Sequence, residues 1–184
     1  MKLTAMLAMT VAAGITVQAG PGKRESLTVY VLDNAKVPVK VKLESEMLVS
    51  KMFASIGVRI DWHVGEPSAS SSSKAVSKAV VIELVTDTPN TKEPGALASA
   101  KPFEGVHIVV FWDRMEHGPI PTQLLANVMV HEITHIAEGI CRHSETGVMK
   151  AKWTEEDFKT MNTHPLMFAA EDVDLIHRGL AARR

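Results

Sequence analysis

Alternation and helical spacing divide this chain into an early part rich in strands and a late part rich in helices. Leu27–Asp33 (LTVYVLD) alternates and is rich in β-branched residues, which predicts a strand. Pro38 opens a helix in which Val49, Met52, Phe53 and Ile56 recur at i, i+3, i+4 and i+7, up to Gly57. Val58–Val64 (VRIDWHV) alternates as a second strand, and Ala79–Thr86 (AVVIELVT) is a nearly continuous apolar one. Ala96–Ala100 (ALASA) is a short strand and Val106–Trp112 (VHIVVFW) a buried one. Between them, the Ser-rich run 67–73 reads as a surface loop and 88–94 as turn material. Gly118, Pro119 and Pro121 break the chain before a long helix over 122–138. Thr154-Glu-Glu-Asp157 has the form of a capping box. Glu171–Ala182 then places Val173, Ile176 and Leu180 on one stripe. This order predicts an α+β domain with helices packed on a mixed β-sheet, and no internal repeat.

The N-terminus follows a different pattern. Met1 and Lys2 precede an apolar run, Leu3–Val17, and Val17-Gln18-Ala19 ends in a small residue at −1. That layout predicts a secretory signal peptide over residues 1–19, cleaved before Gly20, leaving residues 20–184 as a single domain. The run is too short and too rich in Thr and Gly for a membrane anchor. The expected location is therefore secreted or periplasmic, with no membrane association after cleavage. With 20 Lys+Arg against 21 Asp+Glu, the chain lacks the basic excess of a nucleic-acid-binding protein. A lone cysteine, Cys141, excludes an intramolecular disulfide scaffold. The eight histidines are more informative, because five fall after Asn127.

His131-Glu132-Ile133-Thr134-His135 is an HExxH sequence. On a helix, residues four apart lie one turn above each other, so both imidazoles reach one metal ion. Glu132 lies about 100° round the helix, placed to contact an activated water without being a ligand. Leu125, Met129, Ile133, Ile136 and Ile140 form a stripe about 80° wide, centred roughly 140° from the two histidines. One face packs in a core while the opposite one presents the imidazoles. Gly139 can take a positive φ and reverse the chain, giving His143 a route back as third ligand. Glu138, Cys141 and Glu171 are the competing third ligands, since zinc accepts carboxylate and thiolate as well as imidazole. Three protein ligands plus water make an open catalytic site, whereas a structural site is closed by four.

The segment HEITHIAEGICRHSETGVMKAKW resembles the metzincin metallopeptidases, in which a zinc helix is followed by a Gly turn, a third His and a methionine turn. The usual spacing is HExxHxxGxxH; this chain reads HExxHxxxGxxxH, similar to a group of small secreted bacterial zincin-like proteins. The resemblance implies a zincin-like mixed sheet with a long zinc-binding helix and C-terminal helices. It implies zinc (Zn²⁺) held by His131, His135 and His143, Glu132 as general base, and Met149 in the methionine turn. It also implies that an extended peptide pairs with a sheet edge at Gly95–Ala100. The tyrosine that several metzincins place after the methionine turn is missing here, since the only tyrosine is Tyr30.

The expected function is hydrolysis of peptide or protein substrates by a secreted, monomeric zinc metallopeptidase, with zinc-activated water and Glu132 as base. The competing class is a non-catalytic binding module in which Cys141 and His143 together close the zinc site. Asp113–Ile120 and Asn162–Phe168 are the candidate specificity loops. Trp153 is expected to plug the core, Cys141 to be a buried thiol and Arg142 to be solvated. His107, alternating within a buried strand, is expected to be structural, while His117 and His164 are the candidates to stabilise an oxyanion or orient a carboxylate.

Overall fold

Alternate residues of the central strands are buried, and their register lines them up on one face. The computed structural model describes residues 25–67, 79–89, 95–100 and 106–183; the expected signal peptide and most of the Ser-rich loop lie outside them. The strands are β1 (Glu25–Asp33), β2 (Val58–Val64), β3 (Val80–Val85), β4 (Ala98–Ala100) and β5 (His107–Phe111). Among the described residues the helices are α1 (Val39–Ser55), α2 (Pro121–Glu138), α3 (Glu155–Thr163) and α4 (Ala170–Ala182), with a 3₁₀ turn at Trp112–Arg114. The sheet order is β2-β1-β3-β5-β4. The first four strands run parallel and β4 is antiparallel to β5, so the expected mixed sheet is present. Val31, Ile82 and Ile108 form one row across it, and all three are buried.

Helices α1 and α2 pack together, and both pack on the sheet. Val49, Met52 and Phe53 are buried as the spacing predicts. Leu125, Met129, Ile133 and Ile136 are likewise buried, each contributing about 2 kcal/mol through its apolar surface. A buried hydroxyl ties the two helices: Ser45 Oγ donates to the Thr122 carbonyl at 2.9 Å. Helix α4 packs on α2, so the end of the HExxH helix lies between the sheet and the last helix. The capping box at α3 is formed, with Thr154 and Asp157 satisfying each other's backbone N–H.

Several buried polar groups place the segment between α2 and α4. Asn127, fully buried in α2, accepts from the Leu166 N–H at 3.1 Å and donates to the Gln123 carbonyl. Val148 N–H donates to the Met167 carbonyl at 2.9 Å. The loop at 164–169 is thus fastened to α2 on one side and to the methionine turn on the other. Among the described residues no helix is long and apolar enough to cross a membrane.

Candidate metal centre

Helix α2 ends at Gly139, which takes a left-handed conformation (φ 72°) and lets the chain double back as the sequence anticipates. The reversal brings His143 over the helix. His131, His135 and His143 offer ring nitrogens that all lie within 4.8 Å of one another, so the three can hold one metal ion. Their rings cluster tightly: His131–His135 centroids are 4.7 Å apart, His135–His143 5.0 Å and His131–His143 5.2 Å.

Two carbonyls set the tautomers. His131 Nδ1 lies 2.9 Å from the Val148 carbonyl, and His135 Nδ1 lies 3.3 Å from the Ile140 carbonyl. A carbonyl only accepts, so each Nδ1 carries the proton and each Nε2 presents a lone pair. The two Nε2 atoms face each other at 3.1 Å. Facing lone pairs at that distance repel unless a cation lies between them. Two nitrogens bound tetrahedrally to one zinc at ordinary bond lengths lie roughly 3.3 Å apart. The donor set therefore fits zinc, both in spacing and in its three-imidazole chemistry. Burial pushes the His131 imidazole down to about 4 and lowers His135 and His143 as well. All three are neutral at pH 7, the form that binds metal.

Glu132 lies beside this cluster on the cleft floor. Burial raises its carboxyl to about 7, and a hydrogen bond from the Ala100 backbone N–H on β4 pulls the other way. The cleft has a volume of about 460 Å³. One wall is Gly95–Ala98, the other is Lys150–Trp153 with Phe158, and His131, Glu132 and His143 form the floor.

Several expectations need correction. Cys141 is exposed, not buried, and stands apart from the histidine cluster. Its neighbours Gly139 and His143 are exposed too, because the reversing turn lies on the surface. Trp153 packs against the core as expected but is only partly buried, because it also lines the cleft edge-on to His131, with ring centroids 5.8 Å apart. Its Nε1 donates at 3.2 Å to the same Val148 carbonyl that orients His131. Arg142 is half-buried and pinned rather than solvated, donating to Asp172 at 2.9 Å and pairing with Glu171 at 2.5 Å. Glu171 is thereby occupied away from the three histidines. His107 lies at the exposed start of β5 beside Glu83. His117 and His164 do not line the cleft, nor do 113–120 and 162–168; the wall after the methionine turn takes the place of those loops. Met149 is buried in that turn, which a hydrogen bond from Ser144 N–H to the Met149 carbonyl closes.

Glu138 is absent from the histidine cluster although it is buried, and neither carboxylate oxygen has a hydrogen-bond partner. Burial, and then the Asp172 charge, raise its carboxyl to about 7. The folded protein therefore holds this proton where the unfolded chain, with an ordinary carboxyl, has released it. The resulting stability is full below about pH 4.5 and is lost as pH rises through about 7. Glu138→Gln is expected to remove that loss and to be the more stable protein at pH 8, read by urea unfolding at pH 5 and 8. An unchanged difference between the two pH values would show that this carboxyl is ordinary in the folded state.

No family model matches the chain, and no curated protein matches its sequence. Solved structures do match it. The archaemetzincin of Methanopyrus kandleri superposes with a TM-score of 0.54 at 17% identity, covering 89% of this chain and 99% of that one. The archaemetzincin of Archaeoglobus fulgidus gives 0.52 at 13% identity, covering 82% and 99%. A zinc-dependent peptidase of Methanocorpusculum labreanum gives 0.53 at 12%, covering 80% and 99%. At such identities a likeness speaks for architecture: the chain has a metzincin-like fold, and its long helix and reversing turn bring together three histidines that can hold one metal ion.

Proposed function

We propose that this chain is a zinc metallopeptidase that hydrolyses peptide bonds, with His131, His135 and His143 as ligands and Glu132 as general base. The observation that carries the reading is the pair of Nε2 lone pairs facing each other at 3.1 Å beside a buried carboxylate. Zinc bound there supplies a Lewis acid that acidifies water and polarises a carbonyl. Glu132 takes the proton of the attacking water and returns it to the leaving amine. The Ala100 N–H holds the Glu132 carboxylate toward the cleft, so this base needs no reorganisation when substrate enters. Strand β4, at the sheet edge, offers its outward backbone to an extended peptide, and the small side chains of Gly95, Ala96 and Ala98 let that peptide approach.

Cys141, exposed and outside the histidine cluster, leaves a three-ligand set, which favours the open catalytic arrangement over a closed structural site. Export through residues 1–19 and a secreted or periplasmic location belong to the same reading, supported by the signal-like N-terminal sequence, and the mature protein is proposed to act as a monomer. The test is cleavage of a broad peptide library by the zinc-loaded mature protein. Activity is expected, is lost with a chelator and returns with zinc. A folded, zinc-loaded protein that cleaves nothing makes the chain a zinc-binding module instead.

A further inference from the structure

The two helical ligands and the third one are held differently. His131 and His135 each have an Nδ1 fixed by a backbone carbonyl. Among the described residues, the His143 imidazole has no hydrogen bond, and it lies exposed on the reversing turn. Its ring stacks on His131 and meets His135 edge-on, but neither contact fixes the backbone that carries it over the helix. Its two neighbours in the chain supply the answer. Arg142 Nη1 donates at 2.9 Å to Asp172 Oδ1, and Ser144 Oγ donates to the same oxygen. Arg142 Nη2 also donates to Ser144 Oγ at 3.1 Å, closing a triangle around the backbone of His143. Asp172 is fully buried in the first turn of α4, and its other oxygen accepts the Ala169 N–H at 3.1 Å.

We propose that Asp172 is a positioning residue for the metal centre, acting on His143 through Arg142 and Ser144. This rests on His143 being a ligand. The chemistry explains why a carboxylate does this work. One oxygen serves two donors from residues two apart, a convergence that an amide's single carbonyl reproduces only without the charge. The side chain is charged and buried, a costly arrangement that persists because three donors satisfy it. The connection runs from the last helix to a turn about thirty residues earlier in the chain, so α4 becomes part of the metal site without touching metal. A ligand with no hydrogen bond on its own ring then takes its direction from its backbone, which Asp172 fastens on both sides through Arg142 and Ser144.

The experiment is a zinc-affinity cycle by chelator competition on wild type, Asp172→Asn, His143→Ala and the double variant, with far-ultraviolet circular dichroism as a check of folding. Weakening partners behind a ligand typically costs 10- to 100-fold in metal affinity, so Asp172→Asn is expected to weaken zinc by on the order of 10-fold or more. In the His143→Ala background the same substitution is expected to change nothing, because the ligand it positions is gone. Ser144→Ala, which removes one donor and leaves the Arg142 bridge, is expected to give a smaller loss with the same dependence on His143. It carries the comparison if Asp172→Asn does not fold. Equal losses in both backgrounds would mean that Asp172 merely stabilises the domain, and no loss in either would remove its role altogether; both overturn the proposal. If His143→Ala alone leaves zinc affinity unchanged, it is the ligand assignment that fails.

Discussion

Glu132→Gln, loaded with zinc and folded, is expected to lose nearly all peptide hydrolysis, by roughly 10²- to 10⁴-fold in kcat, with zinc content unchanged. The substitution is close to isosteric, and the amide carbonyl still accepts the Ala100 N–H that orients this side chain. What it removes is the capacity to take a proton. Position on the helix separates base from ligand: Glu132 lies about 100° round from His131, so it flanks the metal centre rather than completing it. The His131, His135 and His143 nitrogens already form the cluster without it. Glu132 must be ionised to work, and burial raises its carboxyl to about 7. Hydrolysis should therefore rise with pH along an acid limb at or below about pH 7, since a bound cation draws that value down. Paired measurements decide the matter: zinc by mass spectrometry and turnover of an unstructured peptide, for both proteins. Turnover by Glu132→Gln within a few-fold of wild type would require a different base.

Gly179→Ala is expected to destabilise the domain by about 3 kcal/mol and to weaken the metal centre with it. On an isolated helix the same change stabilises by about 1 kcal/mol, because glycine is a poor helix former. The packing decides otherwise. A Cβ on Gly179 would lie 2.0 Å from the Ala137 carbonyl oxygen, 3.0 Å from its carbonyl carbon and 3.1 Å from the Glu138 Cα. These are backbone atoms in the last turn of α2, which cannot swing aside as a flexible side chain can. Helix α4 must move off α2, and it carries Asp172 and, at its C-terminal cap, the Arg183 that donates to the Ile136 carbonyl at 2.7 Å. Urea unfolding with zinc titration reads both effects. A variant as stable as wild type would show that the helix interface relaxes at little cost.

The elements were legible where periodicity was strong. Val49, Met52 and Phe53 on α1, and Leu125, Met129, Ile133 and Ile136 on α2, are buried as their spacing requires. The capping residues Thr154 and Asp157 start α3 where the pattern placed them. Exposure was less legible. Val106–Trp112 reads as one buried apolar strand, yet His107 at its start faces solvent beside Glu83. Cys141 looks like a core residue by composition but lies on an exposed reversing turn, and Trp153 packs against the core while one side of it lines the cleft. Asp172 had a signal that went unused: it extends the stripe of Ile176 and Leu180 by one turn, putting a charge where an apolar residue is expected. A charge on a buried stripe needs partners, and Arg142 and Ser144 are those partners.

By itself the sequence determined the chemistry on offer: two imidazoles and a carboxylate on one helix, separated by 3.6-residue geometry from the apolar stripe that buries the opposite face. It also marked Gly139 as a place where the helix can end and reverse, because a residue without Cβ takes the left-handed conformation at no steric cost. Only the tertiary structure decided which of His143, Cys141, Glu138 and Glu171 joins His131 and His135. The direction of a chain after a turn is set by its distant anchors, and those were Asp172 on α4 for residues 142–144 and the Val148 carbonyl for His131. Glu171 was taken up by Arg142, and Glu138 was buried without a partner on the way to the turn. Local spacing governs contacts one helical turn apart; contacts thirty residues apart depend on how the whole core packs, and no local pattern encodes that packing.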